Sequence, residues 1–233
     1  ARVHQMATEP GKQGMGTTMV AVLVDAAGFR VANVGDSRVY LVSASGIRQL
    51  TEDHSFVAEA MKRGQSKAEA MATPWRDALT RSIGTDEEVE VDVFGPFPLE
   101  GNSAFVICSD GLYKTLSDDD LHELFVQSSG PRGAAQEMVT AAFDGGSDDN
   151  ISVAIAEYGQ VPRDAAPKTQ VLTFDASAST ATVTEIAVPP PSREADLETA
   201  AVAVEGGALV GGSPVAAVVA VAGGTRRGRS GRF

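Results

Sequence analysis

Residues 104–112 read AFVICSDGL, an unbroken apolar run that stops at an aspartate and a glycine. The five residues from Ala104 to Cys108 have the length of a strand, and a run of apolar positions is typical of a strand buried on both faces. Aspartate is unfavourable inside a strand, so Asp110 is expected just beyond its end. The stretch therefore predicts a central strand with a carboxylate at the edge of its sheet.

The segments on either side of this strand predict a sheet protein covered by helices. Runs of β-branched or alternating apolar residues, bounded by turn signals, predict strands at Thr17–Asp25, Phe29–Val34, Arg38–Val42, Ile47–Leu50, Val89–Phe94 and Ile151–Ala156. Helical patterns predict helices at 56–63, 67–72 and 133–143, and a capping box at Ser117 and Asp120 predicts the start of another. Because strands and helices do not alternate strictly, the pattern favours the α+β class, with antiparallel sheets covered by helices.

Three aspartates lie where predicted strands end or kink. Asp36 lies between the second and third strands, Asp110 follows the central strand, and Asp149 comes just before the last strand. Carboxylates at strand ends can converge on one point, where they repel each other unless cations neutralise them, and Mg²⁺ and Mn²⁺ prefer such ligands. Taken singly, Asp-Gly and Asp-Asn pairs are common turn residues, so a structural role for each aspartate is the alternative.

The composition excludes several classes of function. The chain has 233 residues with 19 Lys and Arg against 31 Asp and Glu, a net charge of −12, which argues against a nucleic-acid partner held by bulk charge. A single cysteine excludes an internal disulfide framework and fits a reducing compartment. The three histidines are not spaced for a zinc pair. Because the N-terminal residues carry no apolar signal-peptide core, we predict a cytoplasmic protein.

Charge and side-chain size divide the chain near Gly159. Residues 1–159 contain 12 basic and 24 acidic side chains, whereas residues 160–233 contain 7 of each. The second part consists mainly of Ala, Val, Gly, Thr and Ser and has only two aromatic residues. Such side chains bury too little surface to offset the entropy of ordering the backbone. We predict a domain at 1–159 and a disordered, low-complexity tail at 160–233.

The tail contains one uncharged stretch, 206–225, followed by a basic C-terminus. About 20 apolar residues suffice to span a bilayer. This stretch holds six glycines and a proline, however, and its residues are mostly small. Basic residues after it would also leave the acidic domain outside the cytoplasm. Both points favour a flexible tail over a membrane anchor, so membrane association through the tail is the disfavoured alternative.

Six short motifs in the first part of the chain indicate a particular protein family. In chain order they are Gly14–Thr18 (GMGTT), Val34–Arg38 (VGDSR), Leu50–Ser55 (LTEDHS), Leu79–Gly84 (LTRSIG), Cys108–Leu112 (CSDGL) and Asp148–Ser152 (DDNIS). Each motif alone is weak. In this order, over residues 14–157, they resemble the PP2C-type (PPM) metal-dependent protein serine/threonine phosphatases, and GMGTT and SDGLYKTLSDDDL resemble the bacterial branch.

The resemblance implies a fold, a cofactor and a site. The implied fold is an antiparallel β-sandwich flanked by helices, with a variable flap at about 55–80 beside the site. Asp110 and Asp149 match aspartates that complete a binuclear metal centre, and Asp36 matches one that binds a third, more weakly held metal in bacterial members. The implied cofactors are Mn²⁺ or Mg²⁺, which activate a water for direct hydrolysis of phosphoserine or phosphothreonine. The implied partners are phosphorylated protein substrates and a serine/threonine kinase with its targets.

The chain departs from the family pattern at its front. Family members open with an arginine that contacts phosphate and a strand whose final Asp-Gly aspartate bridges both metals, and neither precedes Gly14. Residues 1–13 resemble the end of the first long helix and its exit loop, so the opening strands and the phosphate-binding arginine are expected upstream. This chain alone is therefore expected to hold metal poorly. Two function classes follow, namely a phosphatase in the full-length protein and a non-catalytic PP2C-like regulatory or interaction domain.

Four other residues near the motifs are expected to have structural roles. We predict that Cys108 is a buried small hydrophobe rather than a nucleophile. Arg38 is expected to form a salt bridge with a nearby carboxylate. His54 is expected to be structural rather than a general acid. Trp75, which follows a proline in the flap, is expected to anchor the packing of the flap.

Overall fold

The computed structural model describes residues 2–25, 27–99, 101–159 and 161, together with the strands at 182–187, 200–205 and 219–221. The helices are α1 (Arg2–Ala7), α2 (Phe56–Lys62), α3 (Lys67–Met71), α4 (Asp110–Tyr113), α5 (Asp118–Gln127) and α6 (Pro131–Asp144). The strands are β1 (Met19–Asp25), β2 (Gly28–Val34), β3 (Arg38–Ser43), β4 (Gly46–Gln49), β5 (Asp92–Phe97), β6 (Ser103–Cys108), β7 (Ser152–Tyr158), β8 (Thr182–Ala187), β9 (Ala200–Glu205) and β10 (Val219–Val221).

These strands form two sheets. The smaller sheet has the order β10-β1-β2-β5, and the larger one has the order β4-β3-β6-β7-β9-β8. Among the described strands, all neighbours are antiparallel except β7 and β9. Every residue of β6 is buried, and the strand lies between β3 and β7. The prediction of a central strand at AFVIC is therefore confirmed.

Two buried clusters show how the layers pack. The first joins the facing sides of the two sheets through Val20, Val22, Phe29, Val31, Val39, Phe105, Ile107 and Ala154. The second joins the other side of the larger sheet to α5 and α6 and includes Val106, Cys108, Ile155, Leu121, Phe125 and Met138. Burying these side chains supplies the main driving force for folding. The fold is a β-sandwich flanked by helices, which confirms the predicted α+β class.

One predicted strand is displaced along the chain. The expected strand at Val89–Phe94 is found as β5 at Asp92–Phe97, and it continues through the Gly95–Pro96 pair that follows the predicted range. β5 lies at the edge of its sheet, where a proline costs no ladder hydrogen bond on the outer side. The pairing register with β2 shifts between Phe29 and Val31, and this irregularity accommodates the pair.

The flap segment is closed at its base. Ser55 and Leu79 form an isolated bridge, and the backbone N–H of Phe56 donates to the Ala78 carbonyl at 2.8 Å. Between these ends lie α2 and α3. Trp75 is 63% exposed, so the prediction that it anchors the packing of the flap is wrong. It lies in a surface turn that its own carbonyl closes by accepting from the Ala78 N–H at 2.9 Å, which leaves the ring outside the core.

Most of residues 160–233 lie outside the described residues, so the domain division and the disorder of the tail stay predictions. The described strands of this region pair with the domain: β9 lies parallel to β7, β8 pairs with β9, and β10 pairs with β1. The uncharged stretch 206–225 lies outside the described residues apart from β10. In the part of the chain that is described, no helix has the length and hydropathy needed to cross a bilayer.

Candidate metal centre

The pairing of β6 with β7 brings the segments of Asp110 and Asp149 together. The last paired residues are Cys108 and Val153. Beyond them, the backbone N–H of Ser109 donates to the Ser152 carbonyl at 3.0 Å, and the Ser152 N–H donates to the Ser109 hydroxyl at 2.9 Å. That hydroxyl donates in turn to the Asn150 carbonyl at 3.0 Å. The end of β6 and the start of β7 are thus joined on the side where both aspartates lie.

A glycine permits the closest approach of these two segments. A Cβ atom at Gly111 would lie 2.4 Å from the Asn150 carbonyl oxygen and 3.3 Å from that of Asp149. The Ser147 hydroxyl donates to the Gly111 carbonyl at 2.8 Å. The Asp149 carboxylate also accepts from the backbone N–H of Asn150 at 2.8 Å, which orients it within its turn. Only glycine fits between Asp110 and the turn that carries Asp149.

Asp36 lies in the break between β2 and β3, as predicted, and its electrostatics link it to Asp110. Burial, and secondly the negative charge of Asp110, raise the pKa of the Asp36 carboxyl to about 6. The positive charge of Lys114 acts in the opposite direction. A divalent cation at this position would likewise favour the charged form of the carboxylates, and hard carboxylate oxygens are the donors that Mg²⁺ and Mn²⁺ prefer. The donor chemistry of this corner fits the predicted metal.

Tyr113 and Arg38 hold the backbone of Asp36. The Tyr113 hydroxyl donates to the Asp36 carbonyl at 2.8 Å. The Arg38 guanidinium lies 3.5 Å from the centroid of the Tyr113 ring and donates to both carboxylate oxygens of Asp53, at 2.9 and 2.7 Å. It also donates to the Tyr40 hydroxyl at 2.9 Å. The predicted salt bridge of Arg38 is confirmed, and its stacking on Tyr113 extends the support to Asp36.

His54 connects the base of the flap to the same turn. Its Nδ1 accepts from the Gly35 N–H at 3.0 Å, so the ring proton lies on Nε2, which donates to Asp92 at 3.0 Å. Arg81 donates to both oxygens of Asp92, and this bond lowers the pKa of Asp92 to about 2. The His54 ring is almost completely buried. These contacts confirm a structural role, and they hold the residue next to Asp36.

Lys114 places a positive charge among the acidic residues. Its Nζ donates to Oδ2 of Asp110 at 2.6 Å and lies 3.6 Å from Oδ1 of Asp77 in the flap. Burial alone would lower the pKa of Lys114, but the bond to Asp110 and the charges of Asp110, Asp36 and Asp77 raise it. Sequence reasoning missed Lys114 and Asp77. The spacing of four residues between Asp110 and Lys114 was the available signal, because it suits a helical ion pair.

Two features remain, namely the arrangement of the possible metal ligands and the environment of Cys108. Among the described residues, His, Cys, Asp and Glu side chains do not form a group of three or more arranged to hold a metal ion. The charge of Asp110 acts on Asp36, and the backbone segments that carry Asp110 and Asp149 are in contact. In the described part of the chain the three carboxylates do not surround a common point. Burial raises the pKa of the Cys108 thiol to about 12, which confirms the predicted role as a buried hydrophobe.

Comparison with known proteins agrees with this architecture. The family described as PP2C, Protein phosphatase 2C, matches residues 2–63. The chain is 37% identical over 151 residues to the serine/threonine phosphatase stp of Listeria welshimeri, covering 64% of this chain and 60% of that protein. The S. agalactiae serine/threonine phosphatase structure superimposes with a TM-score of 0.63 and 34% identity, covering 68% of this chain and 65% of that one. The catalytic domain of the phosphatase PstP in complex with two manganese ions gives a TM-score of 0.52 and 28% identity, covering 64% of this chain and 61% of that one.

The two sheets flanked by helices, with these motifs in this order, are similar to those of the PP2C-type protein phosphatases. The relatives that the chain resembles are bacterial serine/threonine phosphatases. The chain spans about 60% of the length of the Listeria protein.

Proposed function

We propose that this chain belongs to a metal-dependent phosphatase that hydrolyses phosphoserine and phosphothreonine in proteins. The observation that carries the proposal is the joining of the Asp110 and Asp149 segments at the end of the central strands. The Listeria and S. agalactiae relatives are named serine/threonine phosphatases, which supports the reaction class. The manganese complex of PstP supports Mn²⁺ as the cofactor. Bacterial serine/threonine kinases would supply the phosphorylated substrates in the cytoplasm.

The proposed roles follow from the positions of the residues. Asp110 and Asp149 would hold the metal pair, and Asp36 would add a third carboxylate that serves a further cation. Bound metal ions would lower the pKa of a water molecule and stabilise charge on the phosphoryl oxygens. The contacts of Ser109 and Gly111 keep the two ligand segments together, and Tyr113 keeps Asp36 beside them. The chain's own contribution is thus to position carboxylates in advance of metal binding.

A non-catalytic PP2C-like domain is the second candidate. The observation in its favour is that Asp110 is already paired with an ammonium group in the described structure. Such a domain would bind a partner protein but would not release phosphate. The two candidates therefore differ in a measurement of turnover.

The complete natural protein is expected to release phosphate from a phosphothreonine peptide only when Mn²⁺ or Mg²⁺ is present. Malachite-green detection of phosphate during titration with each metal measures this, and excess EDTA is expected to stop the reaction. Calcium serves as the control ion, because its larger radius suits a more flexible site with more ligands. Turnover that continues after complete chelation would contradict the metal-dependent mechanism. Absence of turnover at every metal concentration would favour the non-catalytic domain.

A further inference from the structure

One ammonium group is shared by acidic residues from three parts of the chain. Lys114 caps the C-terminal end of α4, and its backbone N–H donates to the Asp110 carbonyl at 3.0 Å. Its side chain donates to the Asp110 carboxylate at 2.6 Å, lies 3.6 Å from Asp77 in the flap, and interacts electrostatically with Asp36. A lysine that contacted a single carboxylate would form an ordinary surface ion pair, whereas Lys114 interacts with three carboxylates.

The short helix explains why the lysine lies there. One turn of α4 places residues four apart on the same face, so the side chain of Lys114 returns to Asp110. Its neighbour Tyr113 takes a different direction, packing under Arg38 and donating to the backbone of Asp36. The aromatic residue holds the Asp36 turn, and the lysine brings positive charge to the same corner.

A lysine ammonium and a weakly held divalent ion can each balance the negative charge of the carboxylates at such a site. Each neutralises neighbouring carboxylates, but the ammonium is covalently attached and therefore present at any metal concentration. An ammonium bonded to Asp110 also repels a cation that approaches Asp36, because like charges in proximity are unfavourable. Lysine at this position therefore disfavours a metal ion at Asp36.

We propose that Lys114 is a built-in cation of the metal centre, which serves Asp36 and Asp110 in place of a third metal ion. This inference rests on the proposed metal centre of Asp110 and Asp149, and it deepens it by assigning the further cation to the chain itself. The Mn²⁺ stoichiometry of the natural chain is accordingly lower than that of a variant without the lysine charge. The contact with Asp77 ties the flap to the same ammonium.

Mn²⁺ binding to the complete protein tests the proposal without any measurement of activity. Isothermal titration calorimetry, with electron paramagnetic resonance to count free Mn²⁺, compares the natural chain with Lys114→Met and Lys114→Arg. We expect Lys114→Met to bind one further Mn²⁺ or to bind its weakest Mn²⁺ about tenfold more tightly, because an adjacent like charge is removed. Lys114→Arg keeps the charge and is expected to match the natural chain.

Two further variants make the result specific. Lys12→Met removes another partly exposed lysine that pairs with a carboxylate on its own segment, Glu9, and it is expected to leave Mn²⁺ binding unchanged. In the double variant Lys114→Met with Asp36→Asn, the gained binding is expected to disappear. Thermal unfolding confirms that each variant is folded before titration.

The outcomes separate this inference from the proposed function. Identical Mn²⁺ isotherms for the natural chain and folded Lys114→Met would overturn the role of Lys114 while leaving the proposed metal pair intact. A gain in Lys114→Met that persists when Asp36 is also changed would overturn the assignment to Asp36. If neither the complete natural protein nor its Lys114→Met variant binds Mn²⁺, the proposed metal centre itself fails, and this inference fails with it.

Discussion

Asp110→Asn and Asp149→Asn are each expected to lower the Mn²⁺-dependent turnover of the complete protein by more than about 100-fold. Residues that only orient a metal ligand already cost about 10- to 100-fold when changed, so loss of a ligand's charge must cost more. Asparagine keeps the shape of the side chain, so the fold should survive the substitution. Steady-state hydrolysis of a phosphothreonine peptide, with circular dichroism to confirm folding, measures the effect.

Asp119→Asn is the matched control for these two variants. Asp119 is an exposed aspartate in the first turn of α5. Its loss is expected to leave turnover within about twofold of the natural protein, because exposed surface charges contribute little. Unchanged turnover in folded Asp110→Asn and Asp149→Asn proteins would refute the assignment of the metal ligands.

Gly111→Ala is expected to destabilise the domain by about 1–3 kcal/mol and to weaken Mn²⁺ binding. The added methyl group would lie 2.4 Å from a backbone carbonyl oxygen, that of Asn150, which cannot rotate away as a flexible side chain could. The turn that carries Asp149 must therefore move away from Asp110. Chemical denaturation and Mn²⁺ titration of the same preparation measure the two effects together.

Gly101→Ala provides the comparison for this substitution. A Cβ atom at Gly101 would meet no described atom within 4 Å, and Gly101 lies on the exposed connection before β6. We expect a change in unfolding free energy within about 0.5 kcal/mol, as for other exposed positions. If Gly111→Ala were as stable and bound Mn²⁺ as tightly as Gly101→Ala, the two ligand segments would not depend on their close contact.

Local pattern was sufficient for much of the fold and for the position of each aspartate. The length and apolar character of the run that ends at Cys108 favoured a buried strand, and Asp110 was expected beyond its end because aspartate does not suit a strand interior. The capping box at Ser117 and Asp120 is present with both of its reciprocal hydrogen bonds. In each case the decisive interaction lies within a few residues along the chain.

Features that depend on distant contacts were not predictable in the same way. β5 is displaced because its end is decided by a register shift against β2 rather than by its own alternation. Trp75 is exposed because the turn around it, and not the size of its ring, determines its direction. The role of Lys114 was not predictable because it depends on the folded positions of α4 and the flap, which bring Asp110 and Asp77 to the same ammonium group.

Location of bound Mn²⁺ by anomalous diffraction from crystals of the complete protein tests the central claim most directly. The account predicts Mn²⁺ peaks with carboxylate oxygens of both Asp110 and Asp149 at ligand distances of about 2.0–2.2 Å. Mn²⁺ peaks elsewhere, with these two carboxylates directed to different sides of the molecule, would contradict it.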